Sequence, residues 1–253
     1  MEKKHRYKLI FSYVGTNYSG YQKQPNANTI QEEIEKAISL ILKEKIQIVA
    51  SGRTDAKVHA QNQAAHFDTT NELNIFKAHK SLNGVLPTDI YIKSIEKTNL
   101  DFHARYSSIS KTYIYHIRLK YCPFLKQLAF FPKKKIDVEL FKKSGTKFIG
   151  KKNFTTFSNE AKKGSCAINP IREIYRLDIK TTDEDIFVEI EANGFLYKMV
   201  RNIIGTMLAV STNKISLQDI DKLFIAKDRT KAPMGALAHG LFLKEVNYSK
   251  IIN

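Results

Sequence analysis

Lys111-Thr112-Tyr113-Ile114-Tyr115-His116-Ile117-Arg118-Leu119 is the stretch on which the fold class turns. Tyr113, Tyr115, Ile117 and Leu119 fall on alternate positions, a period of two that gives a strand one apolar face. Downstream, 172–179 and 186–192 read as a hairpin paired across 181–184. Between these strands, 137–149 is a weaker helical pattern with Gly145 inside it. From Leu196 to Val210 the apolar residues Met199, Val200, Ile203, Ile204, Met207 and Leu208 recur at helical spacing, with Lys198, Arg201 and Asn202 on the polar face. Ser216-Leu217-Gln218-Asp219 opens a last helix through a capping pattern, and 240–246 closes as a strand.

The first part of the chain mixes elements in the same way. Tyr7 to Val14 reads as a strand, and Thr29-Ile30-Gln31-Glu32 as a capping box before a helix with Ile30, Ile34, Ala37, Ile38, Ile41 and Leu42 on one face. Short strands follow at 46–50 and 61–67, then a helix at 74–82 ended by Asn83-Gly84 and Pro87, then a strand at 90–95. Strands and helices interspersed this way predict an α+β fold of two similar halves around antiparallel sheet. The boundary falls near Arg105 to Ser110, giving an N-terminal half of 1–107 and a C-terminal half of 108–253.

Composition narrows the function. Lys+Arg number 41 against 25 Asp+Glu, a formal net charge of +16. An excess of this size in a chain that is 43% hydrophobic points to a folded protein that meets a polyanion, nucleic acid above all. Cys122 and Cys166 form no C-x-x-C pair, which argues against a disulfide scaffold or zinc ribbon and for a reducing compartment. No apolar run approaches the roughly 18 residues of a membrane span, and the N-terminus is not a secretory signal. The seven histidines show no ligand spacing, so no metal site is expected.

Two loops invite a chemical reading. Gly15-Thr16-Asn17-Tyr18-Ser19-Gly20 has P-loop glycine spacing, but Tyr21-Gln22 stands where lysine and a hydroxyl residue are required. Nothing there would hold phosphate and magnesium, so a nucleoside triphosphate site is rejected. Gly52-Arg53-Thr54-Asp55 follows a short strand. Its plain reading is a turn; its functional reading is an ionised carboxylate kept anionic by nearby cations, able to act as nucleophile or base.

Gly52-Arg53-Thr54-Asp55-Ala56-Lys57-Val58-His59-Ala60 resembles the G-R-T-D-A-G-V-H-A signature of the TruA family of tRNA pseudouridine synthases. Further blocks match in order: Tyr13-Val14-Gly15-Thr16, Gly20-Tyr21-Gln22-Lys23-Gln24-Pro25, Leu86-Pro87-x-Asp89-Ile90, Phe102-His103-Ala104-Arg105-Tyr106, Lys111 to Tyr115, Phe195 to Gly205, Asp228-Arg229-Thr230 and His239-Gly240-Leu241. The resemblance implies two related ferredoxin-like α+β halves sharing a continuous, mostly antiparallel sheet. It implies isomerisation of uridine to pseudouridine in the anticodon stem-loop of tRNA, positions 38 to 40. It implies no metal or other cofactor, a homodimer and a cytoplasmic location. Asp55 is then the essential aspartate, as nucleophile at C1′ or base at C2′, with Arg201 as its ion-pair partner. Tyr113 would stack on the uracil, Arg53 would brace the space left by the flipped base, and Phe195 and Leu196 would shape the pocket. Lys133-Lys134-Lys135, Lys142-Lys143, Lys151-Lys152 and Lys162-Lys163 are candidate phosphate contacts.

Departures from that pattern sit beside the site. Lys57 stands where the signature has glycine, and lysine is strained there if the position needs a positive φ. Tyr21 replaces a tryptophan, Asn153-Phe154 lacks an aspartate, and Ala232-Pro233-Met234-Gly235-Ala236-Leu237 differs from the family stretch. These leave two other readings open: a divergent synthase acting on another RNA, or a non-catalytic RNA-binding or folding protein using the same cleft.

Overall fold

The computed structural model describes residues 4–159 and 169–248; Lys162, Lys163 and Cys166 lie outside them. The chain divides into two compact units, residues 1–109 with 242–253 and residues 110–241.

The first unit is built on β1 (His5–Tyr13), whose alternate residues Tyr7, Leu9, Phe11 and Tyr13 are buried. Helix α1 (Ile30–Leu42) buries Ile30, Ile34, Ala37 and Ile38, the apolar face expected from their spacing. The expected capping box does not form. Thr29 takes the N-cap position, but its side chain makes no cap bond. The first helical N–H groups donate instead to a loop: Ile30 N–H to the Gly20 carbonyl at 3.3 Å and Gln31 N–H to Tyr21 at 2.9 Å. Strand β2 (Val49–Ala50) is shorter than expected and pairs with β3 (His59–Thr69). Helix α2 (Ile75–Val85) is capped by the Asn74 side chain and runs through Asn83-Gly84 rather than ending there. Asn83 pins it to β4 (Ile90–Thr98), donating to the Ile92 carbonyl at 2.9 Å and accepting the Ile92 N–H at 2.8 Å. Strand β1 lies between β3 and β4, antiparallel to both, with Leu9 opposite Ala65 and Ile95.

Strand β5 (Ser108–Arg118), the strand read from its alternation, lies in the second unit from Ser110 onward. Helix α3 (Val138–Thr146) is capped by Asp137, and β6 (Gly150–Asn153) follows. The expected hairpin is present as β7 (Ile171–Thr181) and β8 (Asp185–Ala192). The order is β5-β8-β7-β6, each strand antiparallel to its neighbours in that order, with Tyr113, Tyr115 and Ile117 opposite Ile190, Val188 and Ile186. Helix α4 (Met199–Ser211) packs on α3, and α5 (Asp219–Ala226) follows the Ser216–Asp219 capping pair, in which each residue's backbone N–H donates to the other's side chain. Phe141, Phe148, Phe154 and Phe157 are fully buried and fill this unit's core, each worth about 1.5–3 kcal/mol of apolar burial.

The last strand, β9 (Leu241–Tyr248), corrects the linear division at 107/108. From Phe242 onward it belongs to the first unit, where it pairs in parallel with β3, His59 opposite Phe242 and Ala60 opposite Leu243. Tyr248 closes the contact by donating its hydroxyl to the Ala104 carbonyl at 2.7 Å. The mixed elements and antiparallel sheets make the fold α+β. Among the described residues no helix is long and apolar enough to cross a membrane.

Candidate active site

The loop carrying Asp55 is held at several points along residues 51–58. Ser51 N–H donates to the Ala64 carbonyl at 2.8 Å, and its hydroxyl donates to Gln63 Oε1 at 2.7 Å. Fully buried Gln63 returns its amide N–H to the Gly52 carbonyl at 3.1 Å. Thr54 is buried, with Oγ1 2.7 Å from the Tyr13 hydroxyl and its carbonyl accepting the Tyr21 N–H at 3.1 Å. Burial pushes the Tyr13 phenol up to about 12, against the pull of its bonds to Thr54 and Gln63. Val58 N–H closes a turn on the Asp55 carbonyl at 3.2 Å. Between these anchors Arg53, Ala56 and Lys57 are exposed and Asp55 is half-buried.

The loop at 15–20, rejected above as a P-loop, is the seat of this turn. A Cβ on Gly20, at φ +101°, would stand 3.0 Å from the Thr54 carbonyl oxygen. A Cβ on Gly15 would stand 2.0 Å from the Val58 oxygen, so only glycine fits. Gly15 N–H also donates to Nδ1 of buried His59 at 3.0 Å, and the His59 ring stacks on Phe242 with centroids 4.6 Å apart. Sequence reasoning missed Tyr13, Thr54, Gln63 and His59 as supports. The one legible sign was the glycine spacing, whose partner loop lies some forty residues downstream.

Lys57 occupies the third position of the turn with φ +65°, while Ala56 is not at positive φ. A positive φ at the third position of a turn is a conformation that favours glycine there. The conformation costs a lysine about 1–2 kcal/mol, so the strain expected from the glycine departure is present.

In the second unit, α4 starts at Met199, three residues later than its periodicity predicts, because Lys198 adopts φ +59° and breaks the helical path. Leu196 is buried, and its carbonyl accepts the Met199 N–H at 3.1 Å. Phe195 is half-buried, its ring edge-on to that of half-buried Tyr113 at 5.1 Å and 87°. Arg201 is half-buried and locked to the 232–237 stretch: its Nε–H donates to the Ala236 carbonyl at 2.8 Å, and Ala236 N–H returns to the Arg201 carbonyl at 2.8 Å. Tyr115 donates its hydroxyl to the next carbonyl, Leu237, at 2.9 Å. Burial drives that phenol well above its ordinary range, and the Arg201 charge opposes the rise.

Asn202, expected on the polar face of α4, is instead 2% exposed. Its amide donates to the Phe157 carbonyl at 3.0 Å and to Asn159 Oδ1 at 3.1 Å, and its oxygen accepts Arg229 Nη2 at 3.0 Å. Arg229 also holds the Ala232 and Pro233 carbonyls at 3.0 Å each. The stretch that departs from the family pattern is thus gripped through its main chain, and a Cβ on its Gly235 would stand 2.5 Å from Asn202 Oδ1.

The lysine candidates divide. Lys133, Lys134, Lys135, Lys143 and Lys151 are exposed. Lys142 pairs with Glu139 at 3.0 Å, and Lys152 lies 5.1 Å from the Phe224 ring centroid.

The family model described as tRNA pseudouridine synthase matches residues 9–107 and 146–249. The chain is similar to "tRNA pseudouridine synthase A 1" of Protochlamydia amoebophila, with 47% identity over 96% of each chain. It is also similar to proteins named tRNA pseudouridine synthase A from an Exiguobacterium species, with 41% identity over 97% of this chain and 99% of the relative, and from Limosilactobacillus reuteri, with 38% identity over 96% and 97%. A match over both ends of the chain and this level of identity lead to one conclusion: the chain belongs to the tRNA pseudouridine synthase family.

Proposed function

We propose that this protein is an isomerase that converts uridine to pseudouridine in tRNA, acting in the cytoplasm as a homodimer on positions 38 to 40 of the anticodon stem-loop. The C1′–N1 bond of the target breaks, the uracil turns, C5 bonds to C1′, and the C5 proton leaves as N1 gains one. Asp55 acts on the ribose, by attack at C1′ or removal of the C2′ proton. Both courses use the ionised carboxylate. Arg201 supplies the positive charge that favours that form in the RNA complex. Tyr113 stacks on the uracil beside Phe195, Leu196 backs the pocket wall, and Arg53 occupies the gap left in the stem. Flipping the base costs a few kcal/mol, which stacking and phosphate contacts offset. The exposed lysines fix the register of the RNA on the surface.

One observation carries this reading: Asp55 is half-buried on a loop pinned on both sides, at Thr54 and at Val58, with cationic Arg53 and Lys57 exposed around it. A surface turn with no task needs no such support. Mapping pseudouridine in total RNA from a strain lacking the gene is the test. Loss confined to tRNA positions 38 to 40 supports the reading. Loss at other RNA sites favours a synthase with another target, and an unchanged map favours a non-catalytic RNA-binding protein.

A further inference from the structure

Among the described residues, six that are not glycine have positive φ: Asn26, Lys43, Lys57, Lys198, Asn213 and Lys227. Asparagine tolerates this conformation. Lys43 and Lys227 stop α1 and α5, where a left-handed residue is the usual helix end, and Lys198 precedes the first turn of α4. Lys57 ends or begins no helix. It sits in the Asp55–Val58 turn, where glycine would bear no strain. Its side chain is exposed, and no carboxylate of the described residues pairs with it, although Lys36, Lys97, Lys142 and Lys147 are all paired. Backbone strain is kept where the side chain has a task. With Lys57 two residues after half-buried Asp55 and Arg53 two residues before it, both exposed, the carboxylate is flanked in the chain by two cations.

We infer that Lys57 is a substrate-positioning residue that binds a backbone phosphate of the RNA next to the target uridine, an inference that rests on the function proposed above. The ammonium neutralises one phosphate and so releases counterion. It anchors the strand whose sugar must meet Asp55 and carries no base preference.

The test uses the full-length protein, an unmodified tRNA transcript, and wild type beside K57G and K57R. Binding is measured across a salt series, and folding by urea unfolding. Relief of the turn leaves K57G at least as stable as wild type. Its binding weakens about three- to fivefold at low salt, and the slope of log K against log salt falls by about one. K57R keeps the wild-type slope. Wild-type affinity and slope in K57G overturn the inference. So does weaker binding at an unchanged slope, which signals a rearranged turn, and so does a K57R slope that matches K57G. Pseudouridine formation by the wild type, assayed on the same transcript, keeps the two claims apart. Its absence sinks the proposed function, whereas an active wild type with an indifferent K57G sinks only the role of Lys57.

Discussion

The Tyr13 hydroxyl lies 2.7 Å from Thr54 Oγ1, and both side chains are buried, Thr54 immediately before Asp55. Strand β1 thereby sets the height of the loop that β2 and β3 only begin and end. Thr54→Val removes one partner and leaves the buried phenol with Gln63 alone. The expected cost is about 1–3 kcal/mol in urea unfolding, with a fall in single-turnover rate. Tyr13→Phe with Thr54→Val removes both groups, and the double variant is expected to lose less than the sum of the singles.

Gly20 tests the seat from the other side. Its φ of +101° strains any L side chain, and a Cβ would press on the Thr54 carbonyl oxygen at 3.0 Å. Gly20→Ala is expected to destabilise by about 1–3 kcal/mol and to slow modification more than it weakens tRNA binding. Unfolding and binding curves on one preparation separate the two effects.

The reach of the sequence is plain in these two supports. Alternation in β5 and the apolar stripe of α4 were legible because both are local and strongly periodic. Strand β6 was not: Gly150-Lys151-Lys152-Asn153 has no apolar alternation and is held by β7. The start of α4 was misplaced because a left-handed Lys198 leaves no mark in hydropathy. Asp55 could be picked out by its motif, but the residues that hold it could not, since Gly15 and Gly20 are explained only by a backbone far along the chain. The parallel pairing of β9 with β3 was hidden for the same reason.

Asn202 is the hinge of the second unit's support. Its amide and oxygen join the Phe157 carbonyl, Asn159 and Arg229, and Arg229 in turn holds the 232–233 main chain. Asn202→Ala strands several buried polar groups at once. A loss of about 2–4 kcal/mol is expected in urea unfolding, with a lowered rate because Ala236, which braces Arg201, lies just beyond. Arg201→Lys keeps the charge but loses the Nε–H bond, and is expected to reduce turnover with little change in stability.

Acid stability should depend on His66. Its Nδ1 accepts the Ala104 N–H at 3.1 Å, and its ring lies edge-on to His103 at 4.9 Å. Burial foremost, then the charges of Arg6 and His103, push the imidazole down to about 4. The native ring therefore stays neutral while the unfolded ring takes up a proton near pH 6.5. Stability is complete above that value and falls as pH drops toward about 4, with up to one proton absorbed on unfolding at this site. His66→Asn, which keeps an acceptor near the Ala104 N–H, should flatten that slope in urea midpoints measured across the range.

The most direct measurement is pseudouridine formation on a tRNA transcript by Asp55→Ala, compared with wild type at equal, saturating enzyme. The expected result is no pseudouridine at any time, with tRNA affinity and urea midpoint close to wild type, since the Asp55 carbonyl rather than its carboxylate closes the turn with Val58. Pseudouridine accumulating with Asp55→Ala at a rate near that of wild type would contradict the account.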